Sequence, residues 1–233
     1  HQRAGQQRVE LKTHIEMLGS ASNSLAEEAQ ALTRALRSDS QKQGYWGEMV
    51  LARLLEASGL REGFEYTTQD SVTMDDNKRL RPDVVIKLPG DRTVVIDSKV
   101  SMNAFQDFEN AETAEDAQAS LKAHILSVEK HVKDLSSKDY LKAAGSKLDY
   151  VIMFVPIEGA WAAIHKERPD FPLWAMDRNI HVSPPSNLLP LLRTIKTLWD
   201  VERRYENADK IAASAAGLYD QFARFVDTFR TAR

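Results

Sequence analysis

The 233-residue sequence contains no cysteine. Disulfide bonds, thiolate zinc sites and cysteine nucleophiles are therefore excluded. The absence also suits a reducing compartment. A chain of this length buries roughly 70% of the surface of its unfolded form, so it needs no covalent cross-links to be stable. We expect one large domain, or one domain with extensions.

Long hydrophobic runs are missing as well. No stretch approaches the roughly 18 consecutive apolar residues that a membrane helix needs, and no signal peptide is visible. The first residue is His1 rather than methionine, so we expect the chain to be part of a longer protein. A membrane anchor further upstream would not be seen in this sequence.

The sequence also lacks a surplus of basic charge. Its 34 acidic residues outnumber its 31 lysines and arginines, and the formal net charge is −3. Proteins that bind nucleic acid over their whole surface are usually basic. Any contact with DNA must therefore come from a local patch.

The most informative segment that is present is a predicted β-hairpin in residues 81–99. Runs rich in valine and isoleucine flank a Pro-Gly-Asp turn, which is typical of two strands joined by a tight turn. Centring the turn on Gly90 places Asp83 directly opposite Asp97. The sequence therefore predicts two carboxylates side by side on one face of a sheet.

Side-chain alternation along the second strand puts Lys99 on the face of the two acids and points Ser98 away from it. Like charges directly opposite each other destabilise a sheet. At about 4 Å and an effective dielectric constant of about 20, their repulsion is roughly 4 kcal/mol. Mg²⁺ or Mn²⁺ held by Asp83 and Asp97 would offset this repulsion. Lys99 would then support an attacking water or a developing negative charge.

The same residues admit a plainer interpretation. Asp83 can face water at a strand edge, and Asp97 with Lys99 can form a surface ion pair of little energetic value. Glu48 favours the metal interpretation, because it lies near the apolar side of a helix predicted over residues 41–57. A carboxylate in such a position usually has a partner.

The chain begins with a predicted helix over residues 9–37. Its apolar or small residues are spaced alternately by four and three, which is a heptad seam. They are Leu11, Ile15, Leu18, Ser22, Leu25, Ala29, Leu32 and Leu36. We interpret residues 1–39 as the end of a coiled coil or a contact in a homo-oligomer. A helix docked on its own domain is the alternative.

Helical and strand patterns then alternate, which predicts an α/β core over residues 40–185. Strands are predicted near 65–69, 71–75, 81–88, 93–99, 148–156 and 180–183, and further helices over 114–137, 159–167 and 171–177. From Ser186 the pattern is helical almost to the end. Residues 186–233 are therefore predicted to be a helical extension packed on the core.

The order helix, three strands, helix, strand, with Asp83 and the Asp97-x-Lys99 motif on the hairpin, resembles the PD-(D/E)xK or restriction-endonuclease-like superfamily. Further segments resemble the RmuC family of DNA recombination proteins over about residues 41–220. They are Gly44-Tyr45-Trp46-Gly47-Glu48, residues 54–60, Arg81-Pro82-Asp83, residues 96–100 and residues 153–158.

The resemblance implies a restriction-endonuclease-like αβββαβ core with a mixed sheet, tied to DNA recombination. It implies that Asp83, Asp97 and Glu48 bind Mg²⁺ or Mn²⁺, that Lys99 is the catalytic cation, and that DNA phosphodiester bonds are hydrolysed. Many superfamily members have glutamate where this chain has Asp97, so the metal position shifts. A cytoplasmic-side location with an upstream membrane anchor is also implied. The alternative is a non-catalytic DNA-binding or scaffold module, because a nuclease fold does not prove cleavage.

Other residues carry weaker expectations. Lys78, Arg79 and Arg81 form a basic cluster near the hairpin that would contact DNA phosphates, or simply a solvated turn. Glu158 either lines the same cleft or caps the helix that starts near Gly159. His124 is predicted to lie on the surface.

Overall fold

The computed structural model describes most of the chain from residue 40 onward. The described ranges are 40–68, 72–73, 79–80, 82–90, 92–98, 102–137 and 148–231. The helices within them are α1 (Ser40–Ser58), α2 (Asn103–Glu109), α3 (Ala114–Ser137), α4 (Glu158–Glu167), α5 (Phe171–Met176) and α6 (Pro185–Thr231). The strands are β1 (Tyr66–Thr68), β2 (Val72–Thr73), β3 (Arg79–Leu80), β4 (Val84–Leu88), β5 (Arg92–Asp97), β6 (Leu148–Phe154) and β7 (Ile180–Ser183).

A mixed five-stranded sheet in the order β1-β4-β5-β6-β7 forms the centre of the domain. The pairs β1–β4 and β4–β5 are antiparallel, whereas β5–β6 and β6–β7 are parallel. Parallel neighbours need a crossover connection, which α2 and α3 supply before β6 and α4 and α5 supply before β7. Strands β2 and β3 form a separate antiparallel pair. The predicted mixed α/β class is confirmed.

Helices cover both faces of the sheet. Residues 151–155 on and after β6 are each at most 5% exposed, although their side chains alternate between the two faces. Helices α1 and α6 pack against each other, and α6 contacts β4 and β7. Helix α3 packs against α2 and α4. The near-continuous apolar sequence of β6 follows from this burial on both sides.

The β4–β5 hairpin has the register that the sequence predicts. Val84 pairs with Ile96 and Leu88 pairs with Arg92, so the turn is centred on Gly90. Gly90 has a φ of 77°, in the left-handed region that glycine adopts without strain. The next position in the same register places Asp83 opposite the last residue of β5.

Agreement between sequence and structure is closest for α3 and β7, whose bounds match the predicted ones. Helix α2 was not predicted, because seven residues are too few to show a helical period. The predicted heptad helix of residues 9–37 lies outside the described residues. The division of the chain at residues 39 and 185 stays a prediction.

The predicted surface position of His124 is wrong. This residue of α3 is fully buried, its Nε2 lies 3.3 Å from the carbonyl oxygen of Ala160, and its ring centroid is 5.4 Å from that of Phe105. Burial lowers the pKa of the imidazole. The physical reason is that α2 and α4 both cover this side of α3, and α2 was missing from the predicted fold.

A buried carboxylate joins α6 to the loop before β1. Glu65 is 2% exposed and accepts hydrogen bonds from the backbone nitrogen of Arg61 at 2.6 Å and from Arg61 Nε at 3.0 Å. The guanidinium of Arg203 on α6 also donates to Glu65. Burial raises the pKa of Glu65, but the Arg61 and Arg203 donors outweigh it, and the pKa is lowered overall.

Replacing Glu65 by glutamine should destabilise the fold by about 1–3 kcal/mol at neutral pH, because the arginine donors lose a charged acceptor. Glu65 has a lowered pKa, so its contribution is complete above its ordinary pKa of 4.5 and is lost as the pH falls through the lowered value. Urea unfolding between pH 3 and 7 should therefore show a flatter acid limb for Glu65→Gln. The exposed Glu206→Gln on α6 is the control, and an equal loss in both variants would contradict the assignment.

Candidate functional site

Two of the predicted acids line one cleft. Glu48 on α1 and Asp83, directly before β4, contribute to a cavity of about 300 Å³ between the helix and the sheet. The remaining lining residues are mostly apolar: Tyr45, Met49, Leu51, Ala52, Leu55, Thr68 and Val84. Glu48 faces this cleft because it lies three residues before Leu51 and seven before Leu55, on the same side of α1.

Ser98 fixes the orientation of Asp83. Asp83 Oδ2 accepts hydrogen bonds from the backbone nitrogen of Ser98 at 2.7 Å and from Ser98 Oγ at 2.8 Å. The prediction that Ser98 points away is therefore wrong. Strand β5 ends at Asp97, so the alternation of side chains no longer applies one residue later. Asp83 and Asp97 are 9% and 2% exposed, so both are buried rather than at a solvated edge.

The start of α1 lies directly over the ends of two central strands. A Cβ atom at Gly47 would lie 3.6 Å from the carbonyl oxygen of Ser98 and 3.7 Å from Cγ of Pro156. Asp97 is also paired with Met153 across β5 and β6. The segments 44–48, 96–98 and 153–156 thus meet at one end of the sheet, beside the cleft. These segments are far apart in sequence and come together only through the fold.

The other predicted site residues lie outside this geometry. Lys99, Lys78 and Arg81 are outside the described residues, and Arg79 belongs to β3 without a described side chain. In the part of the chain that the structure describes, no group of three or more histidine, aspartate or glutamate side chains is placed to hold a metal ion. Among the predicted acids, Glu48 and Asp83 share the cleft.

The chemistry of the cleft fits a hard divalent cation. Carboxylate oxygens are the ligands that Mg²⁺ and Mn²⁺ prefer. Glu48 and Asp83 present such oxygens to the same cleft. Asp97 is on the neighbouring strand, opposite Asp83 in the antiparallel register. The Ser98 donors restrict the rotation of Asp83, which keeps its carboxylate in one orientation. The donor type therefore suits Mg²⁺ or Mn²⁺ at Glu48 and Asp83, but Glu48, Asp83 and Asp97 do not form a three-carboxylate group among the described residues, so the three-ligand set stays a prediction.

Glu158 has a role that the sequence did not reveal. Its carboxylate accepts hydrogen bonds from the backbone nitrogen of Ser186 at 2.6 Å and from Ser186 Oγ at 3.1 Å. Ser186 lies in the first turn of α6, where backbone N–H groups lack helical partners. Glu158 therefore caps the long C-terminal helix. Its partner is 28 residues away, so no local pattern could indicate this contact.

The comparisons with known proteins identify the family of the chain. A family model described as "RmuC family" matches residues 1–233. The chain belongs to the RmuC family. It is 44% identical over 223 residues to the DNA recombination protein RmuC of Salmonella typhimurium, and 43% identical over 223 residues to that of Escherichia coli. It is 43% identical over 227 residues to the DNA recombination protein RmuC homolog of Pseudomonas aeruginosa.

These alignments cover 95%, 95% and 97% of the chain but only 47%, 47% and 50% of the three relatives. This RmuC-family chain thus spans about half the length of the curated relatives it matches. No solved structure matches it. Across the described ranges, no helix is both long and apolar enough to traverse a bilayer. The expected RmuC family is confirmed, whereas the nuclease superfamily stays a prediction.

Replacing Ser98 by alanine should destabilise this RmuC-family domain by about 1–2 kcal/mol, because buried Asp83 loses one charge-assisted hydrogen bond. Urea unfolding at neutral pH measures the change. Ser183→Ala is a matched control, since Ser183 is also buried but its hydroxyl makes only a 3.4 Å contact with the carbonyl oxygen of Pro184. Equal losses in the two variants would mean that the Ser98 hydroxyl does not hold Asp83.

Proposed function

We propose that this chain is the nuclease-like part of a DNA recombination protein, and that it hydrolyses DNA phosphodiester bonds with Mg²⁺ or Mn²⁺. The observation that carries the proposal is the fixed Asp83, which shares a cleft with Glu48 and lies next in register to Asp97. The printed names of the RmuC relatives supply the link to DNA recombination. The resemblance to the PD-(D/E)xK superfamily supplies the reaction class.

In this proposal Asp83, Asp97 and Glu48 hold the cation, and Lys99 supports the water that attacks the phosphorus. A bound Mg²⁺ or Mn²⁺ supplies Lewis-acid polarisation of the phosphoryl oxygen and stabilises the leaving oxygen. Ser98 keeps the Asp83 carboxylate oriented, so little reorganisation is needed when the cation binds. The residues beside the two acids are mostly apolar, which lowers the local dielectric constant and strengthens electrostatic interactions there.

A non-catalytic DNA-binding or scaffold module is the second candidate, and one observation favours it. Asp83 Oδ2 already accepts two hydrogen bonds from Ser98, so this oxygen is satisfied without a cation. Lys78, Arg79 and Arg81 would then supply contacts to DNA phosphates near the hairpin. In both candidates DNA is the partner, and the two differ in turnover.

Mg²⁺ or Mn²⁺ should raise the melting temperature of the protein, because the cation binds the folded acids and not the unfolded chain. At about 100 times the dissociation constant the stabilisation is about 2.7 kcal/mol, which corresponds to roughly 5–10 °C for a chain of this size. Asp97→Asn should abolish the increase. Differential scanning fluorimetry with and without Mn²⁺ measures it, and Asp107→Asn on the exposed side of α2 should respond like the unaltered protein.

Cleavage assays then separate the two candidate functions. Among linear, circular, single-stranded and branched DNA, at least one substrate should be cut in Mg²⁺ by the unaltered protein and by Asp107→Asn, but not by Asp97→Asn. Lys99→Met should keep the melting increase and lose cleavage, since lysine acts on the reaction and not on the cation. DNA binding without cleavage of any of the four substrates would reject the nuclease and support the scaffold module.

A further inference from the structure

Helix α6 leaves the body of the domain after about residue 203. Within the domain, Trp199 Nε1 donates to the carbonyl oxygen of Lys87 at 2.8 Å, and Arg203 pairs with buried Glu65. From residue 204 to residue 222 every side chain is exposed. At about 1.5 Å per residue, this projecting segment is roughly 28 Å long.

The projecting segment carries an apolar seam with coiled-coil spacing. Its members are separated alternately by three and four residues: Leu198, Val201, Tyr205, Ala208, Ala212, Ala215, Tyr219 and Phe222. The large side chains of the seam are 42–74% exposed, and Ile211 and Leu218 beside it are 70% and 68% exposed. Monomeric proteins rarely expose an apolar patch of this extent. A helix without packing is also marginal in water, so we expect this seam to be covered.

The chain's own N-terminal segment is poorly placed to cover the seam. Helices α1 and α6 run in the same direction. Near their starts, Gly47 of α1 and Ser186 of α6 both lie beside residues 156–158. Further along, Arg193 Nη2 of α6 donates to the carbonyl oxygen of Ala57 of α1 at 3.1 Å. Residues 1–39 join the start of α1, at the end opposite the projecting segment. Returning along the 19 residues of α1 takes about 28 Å, most of the length of the predicted heptad helix.

We propose that a second copy of the chain covers the seam. The two α6 helices are antiparallel, and the two-fold axis crosses the seam at a level along the helix midway between Ala213 and Ser214. The seam reads the same in both directions, which is what a self-complementary two-fold contact requires. On the seam, Ala212 then contacts Ala215 of the second copy, Ala208 contacts Tyr219, and Tyr205 contacts Phe222. Beside the seam, Ile211 contacts Leu218 of the second copy.

The side chains suit this arrangement. Small residues meet at the centre, where the helix axes can approach to about 8 Å, and aromatic rings close the two ends. Asp209, which flanks the seam, faces Ala216 of the second copy, so no like charges are opposed there. The antiparallel orientation also puts the two domain bodies at opposite ends of the helix pair. The projecting segment is therefore a dimer contact.

Sedimentation equilibrium of the whole chain tests the proposal. We expect twice the chain mass of 26.3 kDa, and the dimer should persist when residues 1–37 are removed. Ala212→Glu combined with Ala215→Glu should halve the mass without lowering the melting temperature of the body, because both residues are exposed. Ala213→Glu lies on the outer face of the same turn and should remain dimeric. A monomeric unaltered chain, a dimer that survives the double substitution, or a dimer lost with residues 1–37 would overturn the proposal.

Disulfide formation tests the orientation, because the chain has no cysteine of its own. Mixing Ala212→Cys with Ala215→Cys should give a cross-linked pair containing one chain of each variant. Parallel helices would instead join Ala212→Cys to itself, and that result would overturn the antiparallel arrangement. Neither substitution touches Glu48, Asp83 or Asp97, so the outcome is independent of whether the cleft binds a cation or cleaves DNA.

Discussion

The two hydrogen bonds from Ser98 to Asp83 are the interaction on which the candidate site depends. They connect the residue before β4 to the residue after β5, so they close the hairpin at the end opposite its turn. Asp83 and Asp97 are both buried, and a buried carboxylate is unfavourable unless it is hydrogen-bonded or paired. Charge-assisted donors stabilise one of them directly. The ladder stops at Val84 and Ile96, and side-chain hydrogen bonds continue the pairing from there.

Helix α1 connects the candidate site to the rest of the domain by packing against both. One side of α1 presents Glu48 to the cleft, and Gly47 allows the helix to lie against the backbone of Ser98. Helix α1 also packs against α6, which is fixed at its start by Glu158 and further along by Glu65 through Arg203. The position of Glu48 relative to Asp83 thus depends on two carboxylates, half-buried Glu158 and buried Glu65, that take no part in the proposed chemistry.

Sequence reasoning succeeded where the controlling interactions are local. The register of the hairpin follows from a turn centred on Gly90, and the bounds of α3 follow from a regular helical period. It failed for Ser98 and His124, whose surroundings depend on where a strand ends and on which helices lie above. The role of Glu158 was missed for the same reason, since its partner Ser186 belongs to another helix. The acids could be named from the sequence, but the Ser98 donors that orient Asp83 could not.

The long helix α6 has a buried part that packs on the domain and an exposed part that carries the proposed dimer contact. Its first part is buried against α1 and the sheet, and therefore holds in place the helix that lines the cleft. Its second part leaves the body with an apolar seam that nothing in the described part of the chain covers. A helix is stiff over this length, so a partner bound to the second part would fix the direction of the first. In an antiparallel pair the two clefts would lie at opposite ends of a common rod, separated by the length of the projecting segments rather than by a flexible linker.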